Sequence, residues 1–185
     1  MNELSDAELL IRSRTDVEAF GLIYRRYAPR VHGYLARRLG RQTADDLLSQ
    51  VFMYAVEGIG RARPHENGSA LPWLYGIAHN VVRRHLRNRP PPARFDSTDD
   101  VDWDAVDARA DASAASLALR AAVASLPSGE REVLLLVSWE QLSPAEAAVA
   151  LGIAPSAARQ RLHRARAHAA AALAAVPHPY QTQEN

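Results

Sequence analysis

Apolar positions step by three and four residues along most of the chain, the period of helices packed on one side. The series Val17, Phe20, Tyr24, Tyr27, Val31, Tyr34 and Leu39 predicts a long helix that Gly40 ends. Pro29 lies inside it and is expected to kink or split it, because proline removes a backbone donor and crowds the preceding turn. A second helix is predicted from about Thr43, an N-cap residue with Asp45 and Asp46 in the first turn, where the macrodipole favours anions. Its inner stripe is Leu47, Leu48, Val51, Phe52, Ala55 and Ile59, and Gly58, Gly60, Pro64 and Gly68 mark a loop after it. A third helix starts near Ser69 to Pro72 and runs through Leu74, Ile77, Ala78, Val81, Val82 and Leu86.

Arg89-Pro90-Pro91-Pro92 stops that helix. Ala93 to Asp111 is rich in Asp and poor in large apolar residues, so no core forms there. Residues 90–112 therefore form an extended acidic linker, with helix expected again from about Asp111. Helical spacing resumes at Leu117, Leu119, Ala122, Val123 and Leu126, breaks at Pro127-Ser128-Gly129, and continues from Val133 to Val137 with Trp139. No strand pair and no internal repeat is predicted. The expected fold class is all-α: two small helical domains, 1–89 and 113–176, joined by the linker and followed by a loose tail, 177–185.

Residues 142–169 carry the most specific local pattern. Ser143-Pro144-Ala145-Glu146 is a capping box, with Ser at the N-cap, Pro at N1 and Glu at N3. It opens a short helix through Ala147, Val149 and Leu151; Gly152 turns the chain, and another helix begins at Pro155 or Ser156. Two short helices with glycine at the corner make a helix-turn-helix. In the second helix Ala158, Leu162, Ala165 and Ala169 face inward, leaving Arg159, Gln160, His163, Arg164 and Arg166 on the other faces. Arginine can bridge guanine O6 and N7, and glutamine can pair with adenine. A solvated arginine-rich face on an ordinary helical hairpin gives the same pattern.

Composition narrows the choice. The chain has 185 residues, 48% of them hydrophobic, with no apolar run long enough to span a membrane, and Met1 to Asp16 lacks the apolar segment of a signal peptide. A cytoplasmic location is expected. Cysteine is absent, which excludes disulfides, thiol catalysis and zinc fingers. The net charge of +1 hides a segregation: about +5 over residues 1–89, −5 over 90–116 and +1 over 117–185. All 22 basic residues are arginine, the better planar donor to phosphate and guanine, although a GC-rich genome gives the same bias. No His pair is flanked by metal-completing ligands, and neither a nucleophile elbow nor a phosphate-cradling loop is present, so no metal, no cofactor and no enzyme chemistry is expected.

Trp73, Asn80, Arg84 and Arg87 lie along one stripe of the third helix, flanked by His79 and Arg83. An aromatic with Asn and Arg suits stacking of unpaired bases and holding of phosphates; a core position explains Trp73 equally well. Asp45, Asp46 and Gln50, beside Leu47, Val51 and Phe52, give the second helix a mixed acidic and apolar surface suited to a protein, or simply a solvated helix start.

Together these segments resemble the extracytoplasmic-function (ECF) group of the sigma-seventy family of RNA polymerase sigma factors, over about residues 5 to 170. Ala44 to Phe52 resembles the family's core-polymerase-binding helix, A-E-D-L-x-Q-E-V-F, although Ser49 and Gln50 stand where Gln and Glu are usual. Pro72 to Asn80 is very close to P-W-L-x-x-I-A-x-N, in the helix that engages and melts the minus-ten element. Leu126 to Leu136, Leu142 to Ile153 and Arg159 to Arg166 resemble sigma domain four and its helix-turn-helix, which reads the minus-thirty-five element; Ala157, Ala158 and Gln160 depart from the usual Thr, Val and Ser.

The resemblance implies a sigma factor that directs core polymerase to specific promoters and assists melting, in response to stress or another signal. Core-binding residues would be Asp45, Asp46, Leu47, Gln50 and Phe52. Minus-ten residues would be Trp73, His79, Asn80, Arg83, Arg84 and Arg87, and upstream residues Ser156, Arg159, Gln160, His163, Arg164 and Arg166. Its partners would be the beta-prime and beta subunits of RNA polymerase core, promoter DNA and an anti-sigma factor, with no membrane insertion. The alternative is an autonomous helix-turn-helix transcriptional regulator.

Overall fold

The computed structural model describes residues 4–88 and 114–175, which form eight α-helices and no strand. The N-terminal unit comprises α1 (Asp6–Arg12), α2 (Val17–Leu39), α3 (Arg41–Gly58), a 3-10 turn at Ile59–Arg61, and α4 (Leu71–Asn88). The C-terminal unit comprises α5 (Ala114–Ala124), α6 (Ser128–Ser138), α7 (Pro144–Leu151) and α8 (Pro155–Ala174). The expected linker, 90–112, and tail, 177–185, lie outside the described residues.

Helix α1 was not expected, yet its signal is in the chain: Ser5 and Glu8 form a reciprocal capping box. Its buried Asp6 accepts hydrogen bonds from the Tyr27 hydroxyl, from Arg26 and, at 2.8 Å, from the Ala70 N–H, tying α1 to α2 and to the entry of α4. Burial, reinforced by Asp6, pushes the Tyr27 hydroxyl up to about 12.

Of the two outcomes expected at Pro29, a kink or a split, the split does not occur: α2 runs through it as one helix. Pro29 is exposed while Tyr27, Ala28 and Val31 are buried, so packing of the inner face holds the helix where one backbone donor is missing. The start of α3 also differs. Gly40, at φ 80, serves as both the end of α2 and the N-cap of α3, which begins at Arg41 with no side-chain cap. Thr43, Asp45 and Asp46 therefore lie within the helix, past the positions expected for them. Ile23, Val31, Tyr34, Leu35, Val51, Leu74, Tyr75 and Ala78 are fully buried where α2, α3 and α4 meet.

The helix-turn-helix forms as its sequence dictates. Ser143 and Glu146 complete the capping box, Gly152 ends α7 in the left-handed region at φ 63, and α8 opens with Pro155. Val123, Leu126, Leu135 and Ala165 form a small core of its own. Leu136, Leu142, Ala147 and Ala150, however, join the core of the N-terminal unit, because α7 packs on α4. Gly76 permits that approach: a Cβ there would lie 3.2 Å from the Ala150 carbonyl oxygen.

Candidate polymerase and nucleic-acid interfaces

Helix α3 sorts its proposed core-binding residues onto two faces. Asp45, Asp46 and Gln50 are exposed, with Asp45 accepting from His32 at 2.8 Å. Leu47 and Phe52 are 6% and 5% exposed and pack inward, at core positions and not on the outer face. Phe52 meets the ring of Tyr24 edge-on at 4.7 Å. The apolar part of the outer face comes instead from Met53 and Val56, both about half exposed. They follow Asp46 and Gln50 at helical spacing, a signal the sequence contained.

Helix α4 divides the minus-ten candidates in the same way. Asn80, Arg83, Arg84 and Arg87 are exposed and line one concave surface with Ile77 and Val81. Tyr54 of α3 completes it and accepts a hydrogen bond from Arg84 at 3.1 Å. Sequence reasoning missed Tyr54, since only the crossing of α3 and α4 brings it there. Trp73 is half-buried and faces a different cleft, with Gly76, Ile77 and the Val149–Gly152 segment opposite. The His79 side chain is only 12% exposed and lies 3.6 Å from Glu132, so it is turned towards the C-terminal unit.

On α8, Arg159, Gln160, His163, Arg164 and Arg166 are exposed, as the periodicity predicts, and so is Ser156. Arg164 is not free: its Nε donates to Glu130 of α6 at 2.9 Å, and His168 meets the same carboxylate at 2.8 Å. The Arg164 and His168 contacts hold the Glu130 carboxyl below the usual carboxylate range. Among the described residues no group of His, Asp and Glu is placed to hold a metal ion.

Between the units lies an ionic cluster that no local pattern announces. Glu140, 3% exposed, accepts from the Tyr75 hydroxyl at 2.8 Å and from Arg37, and its backbone carbonyl accepts from Arg30 at 2.9 Å. Glu132 faces Arg38 at 3.4 Å and His79 at 3.6 Å. Arg38 is 1% exposed, with its guanidinium 3.8 Å from the centre of the Tyr34 ring.

Comparison with known proteins accounts for this arrangement of helices. Residues 23–90 match the family model Sigma-70 region 2, and residues 116–168 match Sigma-70, region 4. RNA polymerase sigma factor CarQ of Myxococcus xanthus is 36% identical over 150 residues, covering 80% of this chain and 84% of that protein. ECF RNA polymerase sigma factor SigM of Mycobacterium tuberculosis is 32% identical over 174 residues, covering 91% of this chain and 85% of its own. The solved structure of CnrH, in complex with the cytosolic domain of CnrY, superposes with a TM-score of 0.64 at 26% identity, covering 93% of this chain and 99% of that one. The chain belongs to the sigma-70 family and is an RNA polymerase sigma factor of the ECF type.

Proposed function

We propose that the chain divides promoter recognition among three helices. The outer face of α3, through Asp45, Asp46 and Gln50 with Met53 and Val56, docks on core polymerase. The Asn80, Arg83, Arg84 and Arg87 surface of α4, with Tyr54, captures the unpaired strand of the minus-ten element. The Ser156 to Arg166 face of α8 enters the upstream major groove. The observation that carries the reading is the segregation of exposed chemistry: acidic and apolar on α3, arginine with Asn and Tyr on α4, arginine with Gln and His on α8. An acidic and apolar face suits a protein surface, whereas the other two supply donors for phosphates and base edges.

The chain works in the cytoplasm on this reading and catalyses no step itself. Its own partners are core polymerase and promoter DNA, and an anti-sigma factor restrains it; the structure of CnrH with the cytosolic domain of CnrY supports partner control of such a chain. Run-off transcription tests the proposal, with purified core polymerase and a pool of genomic fragments. Defined transcripts should start only when the chain is added, and none on any fragment would contradict it. Asp46→Arg should abolish co-purification with core and leave the DNA faces intact. Arg159→Ala should retain core binding and lose upstream recognition.

A further inference from the structure

We infer that Glu130 of α6 is a positioning residue for promoter reading: it grips Arg164 of α8 from behind, so that the terminal nitrogens of that guanidinium face one guanine of the upstream element. The inference rests on the reading of α8 as the helix that enters the upstream major groove.

The arginines of α8 are not held alike. Arg159 and Arg166, both exposed, meet no carboxylate among the described residues. Arg164 is about half exposed, yet its Nε donates to Oε1 of Glu130 at 2.9 Å. Glu130 is itself 7% exposed and belongs to α6, which packs on α8 around Leu135 and Ala165. The hold therefore comes from a second helix whose place a core fixes, the kind of support that keeps a reading side chain in one rotamer.

Where the hydrogen bond falls on the guanidinium matters. Arginine carries its N–H donors in one rigid plane. Glu130 takes the Nε donor, and the terminal nitrogens have no partner among the described residues. Those are the donors that pair with O6 and N7 of guanine. A carboxylate readily takes a second N–H of the same arginine, as bidentate pairs do. His168 stands in the way: its Nδ1 meets the other oxygen, Oε2, at 2.8 Å. Arg164 and His168 thus divide the carboxylate, and its charge is balanced inside the unit instead of facing DNA phosphates. Gln160 lies one turn before Arg164, about 6 Å along the helix axis and on the same face. The two side chains can therefore read base pairs of one element.

A fixed arginine differs from a mobile one in two ways. Ordering a long side chain on binding weakens association by about two- to tenfold, a loss avoided when the side chain is ordered beforehand. A mobile guanidinium also settles on phosphates, and phosphate contacts carry no sequence information. Glu130 thereby acts on the guanine preference of the chain more than on its general affinity for DNA.

The test uses the full chain assembled with core polymerase on a promoter fragment recovered by run-off transcription. Each upstream guanine is replaced in turn by adenine, with the matching partner base, and by 7-deazaguanine, which lacks the N7 acceptor. Arg164→Ala identifies the base pair at which Arg164 discriminates. There the unsubstituted chain should prefer guanine by about tenfold. Glu130→Met, which fills the space without an acceptor, should reduce that preference to about twofold. Glu130→Gln, whose amide oxygen still accepts from Nε, should keep most of it. Preference at the pair read by Gln160 should not change in either, and circular dichroism confirms that both are folded. His168→Ala frees Oε2 for a second N–H of Arg164 and should also lower the guanine preference; no change overturns the part given to His168. An unchanged guanine preference in Glu130→Met overturns the inference. So does an equal fall at every upstream pair, the mark of a displaced helix, or an equal loss in Glu130→Met and Glu130→Gln. If Arg164→Ala leaves every base preference intact and lowers only the salt slope, Arg164 is a phosphate contact; the positioning role then fails while the reading of α8 stands. No upstream base preference in the unsubstituted chain overturns the reading of α8 itself.

Discussion

Glu132 sits where burial works to raise its carboxyl pKa, and His79 and Arg38 overcome that effect and hold it down at about 2. A carboxylate depressed in the folded state contributes stability above its ordinary value of 4.5, and the contribution is lost as pH falls from there towards 2. Acid should therefore loosen the contact of Glu132 with Arg38 and His79. Urea unfolding at pH 7 and pH 3 checks it: the unsubstituted chain should lose more stability across that interval than Glu132→Gln, and equal losses would contradict the account. At the C-terminal end of α7, Gly152 holds a left-handed conformation, with open space where a Cβ would stand. Gly152→Ala should then cost about 1 kcal/mol through backbone strain alone, seen as a lower Tm in thermal unfolding. An unchanged Tm would show that the turn relaxes.

At the scale of elements, the arginines of α4 and α8 call for different experiments. Arg83, Arg84 and Arg87 are phosphate partners in the proposed mechanism. Each replacement by Ala should reduce the salt dependence of single-strand binding by about 0.7 in log–log slope, with little effect on sequence preference. Gln160 on α8 should behave oppositely. Gln160→Ala should relax preference at one upstream base pair by about 1–3 kcal/mol, measured by competition between duplexes that differ there. Arg164 does two jobs, since Glu130 holds it; its loss should lower the Tm of the chain as well as weaken upstream binding.

Helix by helix, the sequence was most informative where a cap and a period agreed. Ser143, Glu146 and Gly152 specified α7 and its turn, and the stripe Ala158, Leu162 and Ala165 oriented α8. It was least informative where tertiary packing overrode a local rule. Pro29 failed to break α2 because its face is solvent, and Gly40 displaced the start of α3 from the Thr43 cap. Leu47 and Phe52 carried a family motif that did not say which of its members are structural; only burial separates them from Asp46 and Gln50.

For the molecule as a whole, the order of segments was legible but the junction was not. Glu132 and Glu140 are two acidic residues among 21, and nothing in their neighbours distinguishes them from solvated ones. Their partners Arg30, Arg37 and Arg38 lie about a hundred residues earlier, so the cluster exists only once α7 packs on α4. That packing bears on function. In the free chain the helix-turn-helix is packed on α4 through α7, and binding to core through α3 can couple the weak affinities of the two DNA-reading helices, α4 and α8. Promoter recognition then belongs to the assembly with polymerase and not to the free chain. Fluorescence anisotropy on a promoter fragment recovered from the transcription pool tests it most directly, with and without core polymerase. Binding should be at least about a hundredfold tighter when core is present; equal affinity for the free chain and the assembly would contradict this dependence on polymerase.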